Sequence, residues 1–297
     1  MLINRCGGGN VTKVIIDGAD VHRDLKLKSI VADIDASTLE YGFYEGDAVV
    51  YNNEIHILGS MTYSTNHYKW DGSNWVSVST IPYNFSYGKA LIYNDEIHIF
   101  GGSASADLKK HYKWNGSTWT SVSELPMGFN GGCVIEHKGE IHILGGNSNS
   151  TGHYKWNGSS WTLVSSIPYT FHAGGCVVFN DEIHILGSSS DSYSAYHYKW
   201  NDVDQKWTRI STLPYKFTSG EAIVLDGKIH LLGGSNAPTN HYTWDGSSWT
   251  QEPELPMGCY ASASLVYNND IHLLGSRRSG DPNKHFIVKA KLLKEVV

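Results

Sequence analysis

One pentapeptide, Ile-His-[Ile/Leu]-[Leu/Phe]-Gly, occurs six times, with its histidine at His56, His98, His142, His184, His230 and His272. The intervals are 42, 44, 42, 46 and 42 residues. A second histidine follows in each unit, at His67, His111, His153, His197, His241 and, in a degenerate copy, His285. A fixed period of this length means one supersecondary unit repeated, and a single unit cannot bury its own apolar face. The chain must therefore fold as an array.

Each unit reads as strands. "KALIYN", from Lys89, and "DEIHIFGG", from Asp95, meet at an Asn-Asp turn, and "HYKWN" and "TWTSVS" flank an Asn-Gly turn. Asn-Gly between alternating segments is the strongest short-range hairpin signal. Pro82, Pro126, Pro168, Pro214 and Pro256 follow the fourth strand, where a residue without a ladder donor belongs. No segment carries a helical period longer than a turn or two. Four short antiparallel strands, six times over, predict an all-β, six-bladed β-propeller. Radial packing covers both faces of every blade, which explains 10 Trp and 18 Tyr in 297 residues.

The last unit, "HFIVKAKLLKEVV", lacks a fourth strand. Leu39 lies 17 residues before His56, as Ile81 lies 17 before His98. We expect the segment around Leu27–Ile34 to complete the sixth blade, making residues 26–297 the propeller and 1–25 an arm carrying Gly7–Gly9.

The Gly-Gly pairs at 101–102, 145–146 and 233–234, the third-strand aromatic and the fourth-strand Trp resemble kelch repeats over about 270 residues. Gly59, Gly187 and Gly275 depart from that pattern, with Ser following each. The "WNGSSWT" style and the Gly-rich arm also look like tail-associated proteins of phages and prophages from Gram-positive hosts. These resemblances imply an adaptor, a structural part or a small group of enzymes, because propeller folds do not fix function.

Several classes are disfavoured by composition. A net charge of −6 without a Lys/Arg run longer than three gives no basic face for nucleic acid. No apolar run is long enough for a membrane helix, and "MLINRCGGGN" lacks a signal-peptide core. We therefore expect cytoplasmic synthesis, with virion association left open. Cys6, Cys133, Cys176 and Cys259 have no metal-finger spacing and read as free thiols. The repeated histidines are related by rotation and cannot converge on one ion. No metal and no cofactor are expected.

The turns between first and second and between third and fourth strands are monotonous ("YNDE", "NGSS"). Loops on the other face vary: "SMTYSTN", "SASADLKK", "NSNSTG", "SSSDSYSAY", "SNAPTN" and "SRRSGDPNK". Recognition belongs on the varied face. Tyrosines in the linkers and loops there, Tyr41, Tyr83, Tyr169, Tyr193, Tyr215 and Tyr260, are candidate sugar contacts. Asp47, Lys89 and Glu221 occupy the same register, seven residues after the proline position, and are candidates at the channel mouth. Arg277 and Arg278 sit in the longest loop. His172 stands alone in a linker.

These features predict a non-enzymatic recognition or assembly module with no catalytic residues. It would bind a cell-surface glycan or a neighbouring virion protein through the loop face and attach through the arm. Two alternatives stay open. One is a sugar-modifying enzyme of the sialic acid mutarotase type, with Glu221 in the channel. The other is an intracellular kelch adaptor.

Overall fold

The computed structural model describes residues 32–146 and 151–289. Within them lie 24 strands and no helix, arranged as six four-stranded antiparallel sheets. The chain is an all-β, six-bladed propeller. Innermost in each blade is its first strand: Asp47–Tyr51, Lys89–Tyr93, Cys133–His137, Gly175–Phe179, Glu221–Leu225 and Ala263–Tyr267. Each packs against the first strands on either side, and the sixth closes on the first.

Core formation follows from the stacking of blades. Second strands such as Glu54–Leu58 are buried on both faces beyond their charged first residue, so the rest is apolar except for the histidine. Side chains from adjacent blades fill each interface; Val49, Tyr51 and Leu58 of blade 1 meet Ile97, Ile99 and Trp114 of blade 2. Each third-strand Trp lies opposite its fourth-strand Trp across the polar turn, as Trp114 does Trp119. Trp114 also sits edge-on to His67 of the preceding blade, with ring centroids 5.1 Å apart. The repeated Trp-turn-Trp stretch is thus the clamp between blades, and truncating one such buried ring costs about 3–5 kcal/mol.

Histidines form a belt inside the blades. In each, the second-strand and third-strand rings share a hydrogen bond of 2.7–2.9 Å, as in His56–His67 and His184–His197. In blades 1, 3, 4 and 6 a bulge in the outer pairing sets a serine opposite the third-strand histidine. His197 Nδ1 lies 2.8 Å from Ser211 Oγ, which also accepts Trp249 Nε1–H from the next blade at 3.1 Å. Blades 2 and 5 have three-residue fourth strands without a bulge, and Trp161 Nε1 has no acceptor.

The closing strand is Ala32–Thr38, paired antiparallel with Lys284–Lys289. This is the expected N-terminal closure, placed further along the chain than Leu27–Ile34. Leu39 is buried beside it as Ile81 is in the next linker. The proposed arm, 1–25, lies outside the described residues.

Candidate functional site

Each linker ends in a Phe-x-x-Gly step, with Phe at 43, 85, 129, 171 and 217 and Cys259 in the sixth copy. These five Phe rings are fully buried. The residue just before each glycine turns left-handed: Glu45 (φ 58°), Tyr87 (57°), Gly131 (66°), Ala173 (54°), Ser219 (53°) and, before Ser262, Ala261 (49°). Five of the six are not glycine, at roughly 1–2 kcal/mol each. What holds them is one another. Glu45 N–H donates to Ala261 O, Tyr87 to Glu45, Gly131 to Tyr87, Ala173 to Gly131, Ser219 to Ala173 and Ala261 to Ser219, all at 2.7–2.9 Å. This collar is a closed circle of six backbone hydrogen bonds around the axis.

The collar rims a cavity of ≈ 150 Å³ open to the loop face. A cavity of about that size holds a six-membered ring. Arg277, from the last loop, reaches over the rim to Glu45 with Nη1 2.7 Å from Oε1. The Glu45 side chain is only 3 % exposed, and its Oε2 has no hydrogen-bond partner. Beside it the Tyr87 phenol is pushed up to about 12, by burial first and by Glu45 second. His172 stacks over Gly131: a Cβ there would lie 2.5 Å from its Nε2. Its Nδ1 is 3.1 Å from Ser189 Oγ. Burial lowers its pKa, so the imidazole is neutral at pH 7.

The floor is charged. Lys89 Nζ lies 3.8 Å from Asp47 Oδ1 and 4.0 Å from Glu221 Oε1. Blades 2 and 5 face each other across a ring of six, so the Lys89–Glu221 pair bars the axis. Both residues also line a second cavity of ≈ 180 Å³ below, with Asp47, Cys133, Cys176 and Ser264. Asp47 accepts from Ala48 N (3.0 Å) and Ala90 N (2.7 Å), stitching blade 1 to blade 2. Burial raises the Asp47 pKa. Burial would lower Lys89, but its two carboxylate neighbours outweigh that and hold the ammonium above its ordinary value. Burial pushes Glu221 up to about 7, only partly offset by Lys89. Glu221 is therefore a carboxyl poised near neutrality.

Of the residues singled out from sequence, Lys89, Glu221, Tyr260 and Arg277 line the mouth cavity, and Asp47 lies beneath it. The other tyrosines are elsewhere. Tyr41, Tyr83 and Tyr169 are buried between blades. The Tyr41, Tyr169 and Tyr215 hydroxyls donate to the carbonyls of Gly59, Gly187 and Gly233, each 18 residues on. Tyr193 packs on Tyr169 and Tyr196, with ring centroids 5.2 and 5.5 Å away. Arg278 lies over Gly258, outside the cavity. Sequence reasoning missed Glu45, Tyr87 and Ser219 and set His172 aside. The Phe-x-x-Gly period was the signal that pointed to them.

The fold and cavity define a six-bladed propeller with a one-sided, titratable well. No family model and no curated relative matches the chain, so the kelch and phage-tail resemblances rest on the quoted motifs alone. Among solved structures it is similar to that of YjhT, with a TM-score of 0.73 and 16 % identity over 86 % of this chain and 96 % of that one. At that identity the likeness shows the shared fold. YjhT is a sialic acid mutarotase, so the shared fold gives no support to the expectation of a chain without enzymatic activity, and that expectation is withdrawn. A propeller of this build can carry catalysis.

Proposed function

We propose that the mouth cavity is a sugar-processing site that interconverts the anomers of a reducing monosaccharide. The observation that carries this reading is Glu221, a carboxyl with a pKa of about 7 at the floor of a well sized for one sugar ring. General acid–base groups work best with a pKa near the operating pH. Opening a hemiacetal ring needs a base at the anomeric hydroxyl and an acid at the ring oxygen. Closing on the other face returns both protons. Glu221 and the neutral His172 share the cavity, so Glu221 can supply the acid and the imidazole the base. Lys89 positions Glu221, and Arg277, Tyr87, Tyr260 and Ser219 offer hydroxyl and guanidinium contacts around the rim. The variable loops above would set what else of a glycan is admitted.

The test is magnetisation exchange between sugar anomers by NMR. Wild-type protein should speed exchange above the buffer rate for at least one reducing sugar. Glu221→Gln, which keeps the shape and removes the proton site, should reduce that acceleration by about 10²-fold or more. An acceleration that survives Glu221→Gln unchanged would remove Glu221 from the reaction. No acceleration with any sugar would remove the reading itself.

A further inference from the structure

The mouth offers a ligand several hydroxyls but no unpaired cation. Left-handed backbone positions commonly turn their N–H groups into concavities that bind anions. Here all six collar N–H groups are consumed by the circle of hydrogen bonds, so none is left for an anion. Both cations are already matched: Arg277 by Glu45 at 2.7 Å, and Lys89 by Asp47 and Glu221 at 3.8 and 4.0 Å. Three carboxyl groups thus face two cations. One acceptor, Glu45 Oε2, is buried with no partner in a side chain that lines the well. A buried carboxylate oxygen without a donor is costly, and a ligand N–H is the group that relieves it.

Crowding is uneven as well. Glu45 and Tyr87 carry the large collar side chains, while Gly131, Ala173, Ser219 and Ala261 form a small-residue arc. A ring therefore sits off the axis, over that arc and beside His172, with one edge turned to Glu45.

We infer that the site selects amino sugars: a hexosamine whose ammonium group donates to Glu45 Oε2, in preference to a sugar bearing a carboxylate. This rests on the reading of the well as a monosaccharide site and names the charge class of its ligand. Glu45 is the specificity-determining residue, and Arg277 offsets part of its charge.

Isothermal titration near neutral pH would compare hexosamines, hexoses and hexuronates of gluco, galacto and manno configuration. The best hexosamine should bind at least about tenfold tighter than the matching hexuronate, with the neutral hexose between. In Glu45→Gln that preference should disappear. Arg277→Leu, which leaves Glu45 unpaired, should keep or enlarge it, so a folding defect in one variant does not decide the outcome. Tighter binding of a hexuronate would overturn the amino-sugar assignment and leave the sugar site standing. Equal preference in wild type and Glu45→Gln would overturn the role of Glu45. Failure of every sugar to bind would remove both the assignment and the reading beneath it.

Discussion

Two rings of six run through this molecule, and they are built in opposite ways. The collar at the mouth keeps its backbone constant and changes its side chains: Glu, Tyr, Gly, Ala, Ser, Ala. The histidine belt inside the blades keeps its side chains constant, with a His–His bond in every blade. A ring held by backbone bonds leaves each side chain free to vary, so chemistry can differ from blade to blade. A ring held by side chains cannot vary without breaking. Repetition in the sequence therefore marks structure, and variation on a fixed backbone marks the site.

Acid should separate the two rings most sharply. Burial lowers every belt histidine from its ordinary value of 6.5, to about 4 for His56, His98, His142, His184 and His272, and to about 3 for the third-strand six. His230 moves in the same direction. Between pH 6.5 and about 4 the unfolded chain binds protons that the folded one refuses, so stability present above pH 6.5 is lost as pH falls. Each such histidine costs roughly 1.4 kcal/mol per pH unit. Glu221 and Asp47, both raised in the fold, act the other way, but they are two groups against twelve. We expect Tm to drop by more than about 10 °C between pH 6.5 and 5, far beyond the effect of a single group. A flat Tm over that range would mean the belt is not held neutral.

Two adjacent glycines sharpen the comparison. A Cβ on Gly132 would lie 2.5 Å from the Phe129 ring and 2.8 Å from the Leu144 carbonyl. Gly132→Ala should therefore destabilise by about 2 kcal/mol or more, in the range of overpacked cores. Gly131 meets only the tip of His172, and its left-handed φ is one that asparagine tolerates. Gly131→Asn should stay within about 1 kcal/mol of wild type in denaturant melts. It should weaken sugar binding by displacing His172. Equal stability losses in the two variants would contradict this division of labour.

The smallest effect comes from paired serines. Ser211→Ala leaves His197 Nδ1 and Trp249 Nε1 without their shared partner and should cost about 1–3 kcal/mol. Ser219→Ala, in the collar, changes no belt contact and should stay within about 0.5 kcal/mol. Chemical denaturation of both variants, side by side, checks the difference.

The sequence carried the fold because its signals were local and repeated: hairpin turns, proline at strand ends, one histidine register. It carried part of the site for the same reason. Counting seven residues from each proline, or from Glu40 at the equivalent position, picks out Asp47, Lys89 and Glu221, the charged members of the channel ring. Tyr41, Tyr169 and Tyr215 lie at a constant 18-residue distance from a glycine carbonyl they bond, a structural regularity that residue type alone does not reveal. For Glu45 and Tyr87 the Phe-x-x-Gly period marks the positions but not what they do. Their left-handed backbone arises only when six linkers meet, and no single linker of polar residues announces it.

The Lys89–Glu221 bar gives the well one door. Whatever enters between the loops leaves by the same opening, because the floor of the well is barred by an ion pair drawn from facing blades. Arrival and departure then compete for a single passage, and the loops that border it govern the exchange of any ligand.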